Sequence, residues 1–103
     1  MSKYNAIPTV KDGIKFASAS EARRYRELKL LQSAGAISDL ELQVKYPCVI
    51  NGVKVCDYIS DFDYTENCVR ITEDVKGFKT PVYRLKKKLV KALYGITITE
   101  YKP

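Results

Sequence analysis

Apolar residues in the first third of the chain recur with the 3.6-residue period of an α-helix. The pattern predicts a helix over residues 19–34. Its inward-facing stripe comprises Glu21, Tyr25, Leu28 and Gln32. Ser18 and Glu21 have the S-x-x-E spacing of a capping box, and Gly35 is placed to end the helix in the left-handed conformation.

The middle of the chain alternates between apolar and polar positions, which predicts β-strands. The candidate strands are residues 40–50, 53–64 and 68–76. Asn51-Gly52 favours a tight hairpin turn between the first two strands, and a polar turn over residues 65–67 precedes the third. Asp12-Gly13 favours a further short hairpin over residues 9–16. We expect the three longer strands to form an antiparallel meander that ends at Gly77.

A second helix is predicted to begin at Pro81, with Thr80 as its N-cap, and to end at Gly95. Its apolar stripe is expected to comprise Val82, Leu85, Leu89 and Ala92. Residues 96–101 alternate Ile and Thr and predict a last strand, which a helical crossover can return to the meander. The order helix, three strands, helix, strand predicts one α/β (α+β) domain over residues 1–103, with a mixed sheet flanked by helices.

Charge adds a preference for anionic partners. The chain has 18 Lys and Arg against 12 Asp and Glu, a net charge of +6, which attracts polyanions such as nucleic acid. On the second helix, the basic residues expected to meet phosphates are Arg84, Lys87, Lys88 and Lys91. An ordinary solvated helix face is the alternative interpretation. Acidic residues gather instead at positions 57–63 and 73–74, which invites a metal-site explanation.

Missing residue types exclude several functions. There is no histidine, so catalysis by a Ser-His-Asp or Cys-His pair is excluded. The three cysteines are odd in number and show no close paired spacing, so we expect reduced thiols in a cytoplasmic protein. No apolar run approaches the length that spans a bilayer, so no membrane partner is expected.

Two neighbouring strands can bring acidic side chains together. On the third strand Asp74 and Lys76 share a face, with the carbonyl of Val75 between them, and Asp61 lies on the second strand. Two carboxylates and a carbonyl form an oxygen-ligand site that suits Mg²⁺ or Mn²⁺. The alternative is a surface ion pair between Asp74 and Lys76, which would be worth little energetically.

This arrangement resembles the PD-(D/E)XK nuclease superfamily, in which an Asp on the second strand precedes a D-x-K element on the third. Here the match is Asp61, twelve residues, then Asp74-Val75-Lys76, with Ser60 replacing the superfamily's proline before the first Asp. More narrowly, four segments look like those of a family of small phage and prophage endonuclease-like proteins. They are residues 18–25, 37–43, 60–62 and 73–77.

The resemblance implies a restriction-endonuclease-like core and a metal-dependent DNA endonuclease. Asp61, Asp74 and Lys76 would be catalytic, and Glu21 would join Asp61, Asp74 and the Val75 carbonyl at the metal. A capping role for Glu21 is an equal alternative. Homodimers and a preference for branched DNA would extend this expectation. The rivals are an inactive nucleic-acid-binding module on the same scaffold and a phage regulatory protein that binds a host protein.

Overall fold

The structure is a computed structural model that describes residues 9–76 and 78–103; residues 1–8 and Gly77, the expected end of the third strand, lie outside these ranges. The described ranges hold two helices and eight strands. The elements are β1 (Thr9–Lys11), β2 (Ile14–Phe16), α1 (Ala19–Ser33), β3 (Ser38–Leu42), β4 (Lys45–Ile50), β5 (Val53–Ile59), β6 (Phe62–Glu66), β7 (Val69–Val75), α2 (Pro81–Tyr94) and β8 (Thr99–Tyr101). Neither helix is long and apolar enough to cross a membrane.

A four-stranded sheet in the order β3-β6-β7-β8 forms the centre of the domain. β3, β6 and β7 are antiparallel neighbours, whereas β8 returns parallel to β7 after α2. The predicted mixed α+β architecture with two helices is therefore confirmed. The last strand is shorter than expected, because regular pairing starts only at Thr99.

The first two predicted strands are each divided in two, and together they form one bent hairpin. β3 pairs with β6 and β4 pairs with β5 in a common register, seen in Leu42 opposite Phe62 and Lys45 opposite Ile59. Between these pairs the ladder continues through single bonds at Gln43 and Ser60. Gln43 has a φ of 53°, which turns the chain out of the sheet. The hairpin's inner half therefore belongs to the sheet, and its outer half, β4–β5, bends away.

The hairpin turns follow the dipeptide signals. Asp12-Gly13 and Asn51-Gly52 both have two successive positive φ angles, as predicted for tight hairpin connections. The turn between β6 and β7 was placed too early, because it lies at Asn67-Cys68, with φ angles of 51° and 64°, and not over residues 65–67. Cys68 is therefore an exposed turn residue and not the start of a strand.

The predicted first helix is confirmed as α1, which covers one face of the sheet. Ser18 caps it by accepting a hydrogen bond from the Glu21 N–H at 3.2 Å, and Gly35 follows with a φ of +81°. Tyr25 and Leu28 are buried, as their stripe predicted. The cluster beneath the helix comprises Phe16, Ala22, Tyr25, Leu28, Ile37, Phe62, Tyr64 and Val75.

α2 begins and ends as predicted but buries a different face. The Thr80 side chain accepts the Tyr83 N–H at 3.1 Å, and Gly95 ends the helix with a φ of +71°. Tyr83 and Val90 are the buried residues, whereas Val82 is 62% exposed and Leu85 58% exposed. The predicted stripe through those two residues is therefore wrong. Since one residue rotates a helix by about 100°, burying Tyr83 turns Val82 and Leu85 towards solvent.

The reason for this rotation is that α2 packs on the bent half of the hairpin. Its buried side meets β4 and β5 in a second apolar cluster, separate from the one under α1. That cluster comprises Cys48, Tyr58, Tyr83, Val90 and Ile98. Tyr83 supplies both a ring that packs in this cluster and a hydroxyl that reaches polar neighbours. It is therefore buried in place of the aliphatic residues of the predicted stripe.

Candidate functional site

The bend in the hairpin places Asp61 beside Asp74. In the β6–β7 ladder Phe62 is opposite Glu73, so one step further along the register Asp61 is opposite Asp74. The backbone supports this pairing, because the Asp61 N–H donates to the Glu73 carbonyl at 3.1 Å. The two aspartates that the sequence predicted to converge are thus cross-strand neighbours.

Asp74 is buried, with 3% of its surface exposed. Its Oδ2 accepts a hydrogen bond from the Tyr58 hydroxyl at 2.6 Å. Its Oδ1 has no hydrogen-bond partner, although Lys76 Nζ lies 3.1 Å away at ion-pair distance. A buried carboxylate oxygen without a hydrogen bond is costly unless a cation faces it, and here the Lys76 ammonium is that cation.

The Asp61 carboxylate is held in place by the backbone of β7. Its Oδ2 accepts the Val75 N–H at 2.7 Å, which fixes the carboxylate against β7. Burial raises the pKa of Asp61 from 3.8 to about 8, and the charges of Asp74 and Glu21 add to that shift. Asp61, Asp74 and Glu21 are therefore close enough to influence one another electrostatically.

Glu21 contacts the start of α1 and lies near the two aspartates. Its side chain accepts the Ala17 N–H at 3.3 Å, close to the capping-box arrangement. Burial raises the pKa of Glu21; the Ala17 bond opposes this, the charge of Asp74 adds to it and Lys76 lowers it. Glu21 therefore caps α1 and also lies within electrostatic range of the Asp74 and Lys76 pair.

Tyr83 positions the ammonium group of Lys76. Lys76 Nζ lies 4.4 Å from the centroid of the Tyr83 ring, a cation–π distance, and 3.1 Å from Asp74 Oδ1. The Tyr83 hydroxyl donates to Glu100 Oε2 at 2.8 Å. Burial works to raise the pKa of Glu100, but hydrogen bonds from Lys79, Tyr83 and Lys87 lower it to about 2. Glu100 is thus a permanent anion that anchors Tyr83.

Asp74, Lys76 and Tyr83 open into a pocket of about 270 Å³ between β5, β7 and α2, whereas Asp61 and Glu21 are not among the residues that line it. It is lined by Asp57, Tyr58, Ile59, Asp74, Lys76, Thr80, Val82, Tyr83 and Lys86. Gln43, at the bend of the hairpin, is not among them; its side-chain amide donates to the Lys15 carbonyl at 3.4 Å. Asp57 Oδ1 is a second buried carboxylate oxygen without a hydrogen-bond partner on this wall.

The donor set fits a hydrated divalent cation better than an enclosed one. Within residues 9–76 and 78–103 no three His, Cys, Asp or Glu side chains are close enough to enclose an ion. Asp61 and Asp74 supply two carboxylates, and the Oδ1 atom of Asp74 makes no hydrogen bond. Mg²⁺ keeps several waters and binds through one or two carboxylates together with substrate phosphates, so two carboxylates are enough.

Other buried charges are fully paired within the fold. Asp63 is 1% exposed and accepts hydrogen bonds from Ser60 at 2.5 Å, Thr72 at 3.2 Å and Tyr46. Both of its carboxylate oxygens are therefore satisfied by the chain's own hydroxyls. On the α1 face, the Arg24 guanidinium binds both oxygens of Glu73, at 2.8 and 2.9 Å.

The predicted nucleic-acid-binding residues lie apart from this pocket. A second cavity, a groove of about 600 Å³, is lined by Arg84, Lys87, Lys88, Lys91, Ala92, Ile96 and Thr97. The groove contains all four basic residues that the sequence predicted, so they do share one surface. Lys87 is paired with Glu100 at 3.1 Å, and Lys91 donates to Thr97 at 2.9 Å.

Three residues of the site were not found by reading the sequence. No sequence pattern singled out Tyr58; Tyr83 could be assigned only to base stacking or packing, and Lys86 only to the basic run over residues 84–91. The available signal was the content of eight tyrosines in 103 residues, which is high for a chain without tryptophan. A tyrosine hydroxyl that is buried must find a partner, and in this fold two of those partners are Asp74 and Glu100.

Comparisons with known proteins place the chain in a family. No curated protein and no solved structure matches it. A family model matches residues 1–100 and so spans the bent hairpin, α2 and every residue of the pocket. The chain therefore belongs to the family described as "Protein of unknown function (DUF1064)".

Proposed function

We propose that the protein is a metal-dependent nuclease that hydrolyses phosphodiester bonds in DNA. One observation supports the proposal: Asp61 and Asp74 are opposite one another across adjacent strands, and the buried Asp74 Oδ1 makes no hydrogen bond but is met by the ammonium group of Lys76, 3.1 Å away. A buried oxygen that served the fold alone would be expected to accept a hydrogen bond. A site that binds Mg²⁺ or Mn²⁺ needs carboxylate oxygens that a cation can reach.

The order of elements also supports the proposal. If the β1–β2 and β4–β5 ribbons are set aside, the chain runs α1, β3, β6, β7, α2, β8, with β8 parallel to β7. That is the α-β-β-β-α-β order of the restriction-endonuclease-like core implied by the sequence resemblance. Asp61 comes just before β6, and Asp74 lies near the end of β7, which are the second and third strands of that core.

Each side chain of the candidate site would have its own role in phosphodiester hydrolysis. Asp61 and Asp74 would hold the cation, and the Val75 N–H and the Tyr58 hydroxyl fix one oxygen of each. A bound divalent cation lowers the pKa of a water and neutralises charge on a phosphate oxygen. Lys76 would orient the attacking water or stabilise the developing negative charge, and Tyr83 restricts where its ammonium group can move.

Tyr58 is a positioning residue, and its removal should weaken the site. Burial and the charge of Asp74 raise the pKa of Tyr58, so it remains a hydrogen-bond donor at every working pH. Tyr58→Phe is expected to lower Mn²⁺ affinity about 10–100-fold, because a ligand without its supporting hydrogen bond is less well oriented. Titration calorimetry with Mn²⁺ measures this. Tyr25→Phe, which removes a hydroxyl bonded to Asp12 away from the site, is the matched control and should bind normally.

The experiment that tests the proposed function is a cleavage panel. Linear, flapped and four-way DNA are incubated with Mg²⁺ or Mn²⁺ and the wild-type protein, Lys76→Ala or Lys29→Ala. The wild type and Lys29→Ala, which changes an exposed α1 lysine, should cleave in a metal-dependent way. Lys76→Ala should be at least about 10²-fold slower, as expected when a group stabilising transition-state charge is lost. Equal cleavage by all three proteins, or none by the wild type, would contradict the assignment.

The same panel separates the rival functions. An inactive nucleic-acid-binding module would bind DNA with a strong salt dependence and never cut it. A regulatory protein that recognises a host protein would bind no DNA at moderate salt. Preference for the flapped or four-way DNA would extend the proposal to branched substrates. The proposal also includes a homodimer, since a chain of 103 residues presents little surface with which to span a duplex.

A further inference from the structure

Helix α2 separates the candidate catalytic pocket from the basic groove. Val82 and Lys86 line the pocket, whereas Arg84 and Lys88 line the groove. The two pairs are offset by two residues, which is about 200° around a helix, so they project from opposite flanks. A nucleic acid that reaches both surfaces must therefore pass over α2.

The outward edge of α2, between these flanks, is free of acidic side chains. Pro81, Leu85, Lys88 and Ala92 follow one another at helical spacing and are all exposed. Leu85, with 58% of its surface exposed, is the largest apolar side chain on this edge. Together with the neighbouring Val82, 62% exposed, it offers apolar contacts beside the cationic side chains of one flank.

We propose that α2 lies in the major groove of duplex DNA, so that the catalytic pocket meets one strand and the basic groove meets the other. This inference rests on the proposed nuclease function and names its substrate class. A helix with its side chains is about 10–12 Å across, and the major groove of B-DNA is about 12 Å wide. Phosphates then border the helix on both flanks, which is where the structure places its lysines and Arg84.

The edge residues explain why DNA fits better than RNA. Leu85 and Ala92 are apolar and suit the thymine methyl groups that face the major groove of B-DNA. The major groove of an A-form RNA duplex is deep and too narrow for side chains to enter. A single strand offers no second backbone for the far flank. Duplex DNA is therefore the favoured ligand of this surface.

Binding in EDTA, where no metal-dependent cleavage occurs, tests the inference by fluorescence anisotropy. The wild type should bind a duplex DNA at least about tenfold more tightly than an RNA duplex or a single strand of matching sequence. Leu85→Glu should weaken duplex binding at least about tenfold. The double variant Arg84→Ala/Lys88→Ala, which breaks none of the ion pairs found between described residues, should reduce the salt slope by about 2, one for each lost phosphate contact.

Matched changes on α1 provide the controls. Leu30→Glu changes another exposed leucine, 68% accessible. The double variant Arg26→Ala/Lys29→Ala removes two positive charges, as Arg84→Ala/Lys88→Ala does. Both α1 variants should bind DNA like the wild type. Equal affinity for DNA and RNA duplexes, or variants of α2 that behave like those of α1, would overturn the inference. The inference would also be overturned if the protein bound no DNA, whether or not a protein partner were found to occupy the basic groove. Hydrolysis of bis(p-nitrophenyl) phosphate by the wild type with Mn²⁺ is scored separately and reports on the nuclease proposal alone.

Discussion

Asp74→Asn is expected to lower the rate of Mn²⁺-dependent DNA cleavage by at least about 10³-fold while the protein remains folded. Asparagine keeps an oxygen that can accept the Tyr58 hydroxyl, so the packing of β7 against the hairpin is preserved. It removes the negative charge that would attract the cation and that pairs with Lys76. Losses of this size are typical when one member of a catalytic group that acts as a unit is removed.

The measurement is a single-turnover cleavage assay, accompanied by circular dichroism to show that the fold is retained. Asp39→Asn is the matched control, because Asp39 is exposed and its φ of 53° is one that asparagine also adopts. That variant should cleave at the wild-type rate. If Asp74→Asn cleaved as fast as Asp39→Asn, Asp74 would have no part in catalysis.

Asp61→Asn is expected to have two opposite effects: it should abolish metal-dependent cleavage and stabilise the metal-free protein at alkaline pH. Burial, then the charges of Asp74 and Glu21, raise the pKa of Asp61 to about 8 in the folded protein, against an ordinary 3.8. A raised carboxyl pKa contributes stability that is full below about pH 3.8 and is lost as the pH rises through about 8. Above that pH the native protein must carry a buried, repelled carboxylate.

Thermal melting without metal tests this at pH 6 and pH 9. The asparagine can still accept the Val75 N–H but carries no charge, so its melting temperature should exceed that of the wild type by about 5 °C at pH 9 and by about half as much at pH 6, which lies midway between the two pKa values. Adding Mn²⁺ should raise the melting temperature of the wild type, and more so at pH 9, because the cation binds the ionised carboxylate. A variant less stable than the wild type at pH 9 would make Asp61 a purely structural residue.

Local sequence signals were enough to predict most of the elements. Dipeptides with positive φ placed two hairpin turns, and caps at Ser18 and Thr80 placed both helices, since these effects depend on a few neighbouring atoms. Alternation along the third strand also put Asp74 and Lys76 on one face, and the ion pair between them agrees.

Features that depend on distant contacts could not be predicted in this way. The bend at Gln43 takes the outer half of the hairpin out of the sheet, and no turn dipeptide marks it. That bend decides which side of α2 is buried, so the aliphatic stripe through Leu85 gave the wrong face. It also brings Tyr58 over Asp74, a contact that depends on a fold across sixteen residues and not on any local spacing.

The central claim is that Asp61 and Asp74 bind one divalent cation beside Lys76. Anomalous diffraction from crystals soaked in Mn²⁺ tests it most directly. The account predicts an anomalous peak within about 2–2.3 Å of carboxylate oxygens of both aspartates, which is bonding distance for such a metal. A map without a peak there at saturating Mn²⁺, or with the two carboxylates turned away from each other, would contradict it.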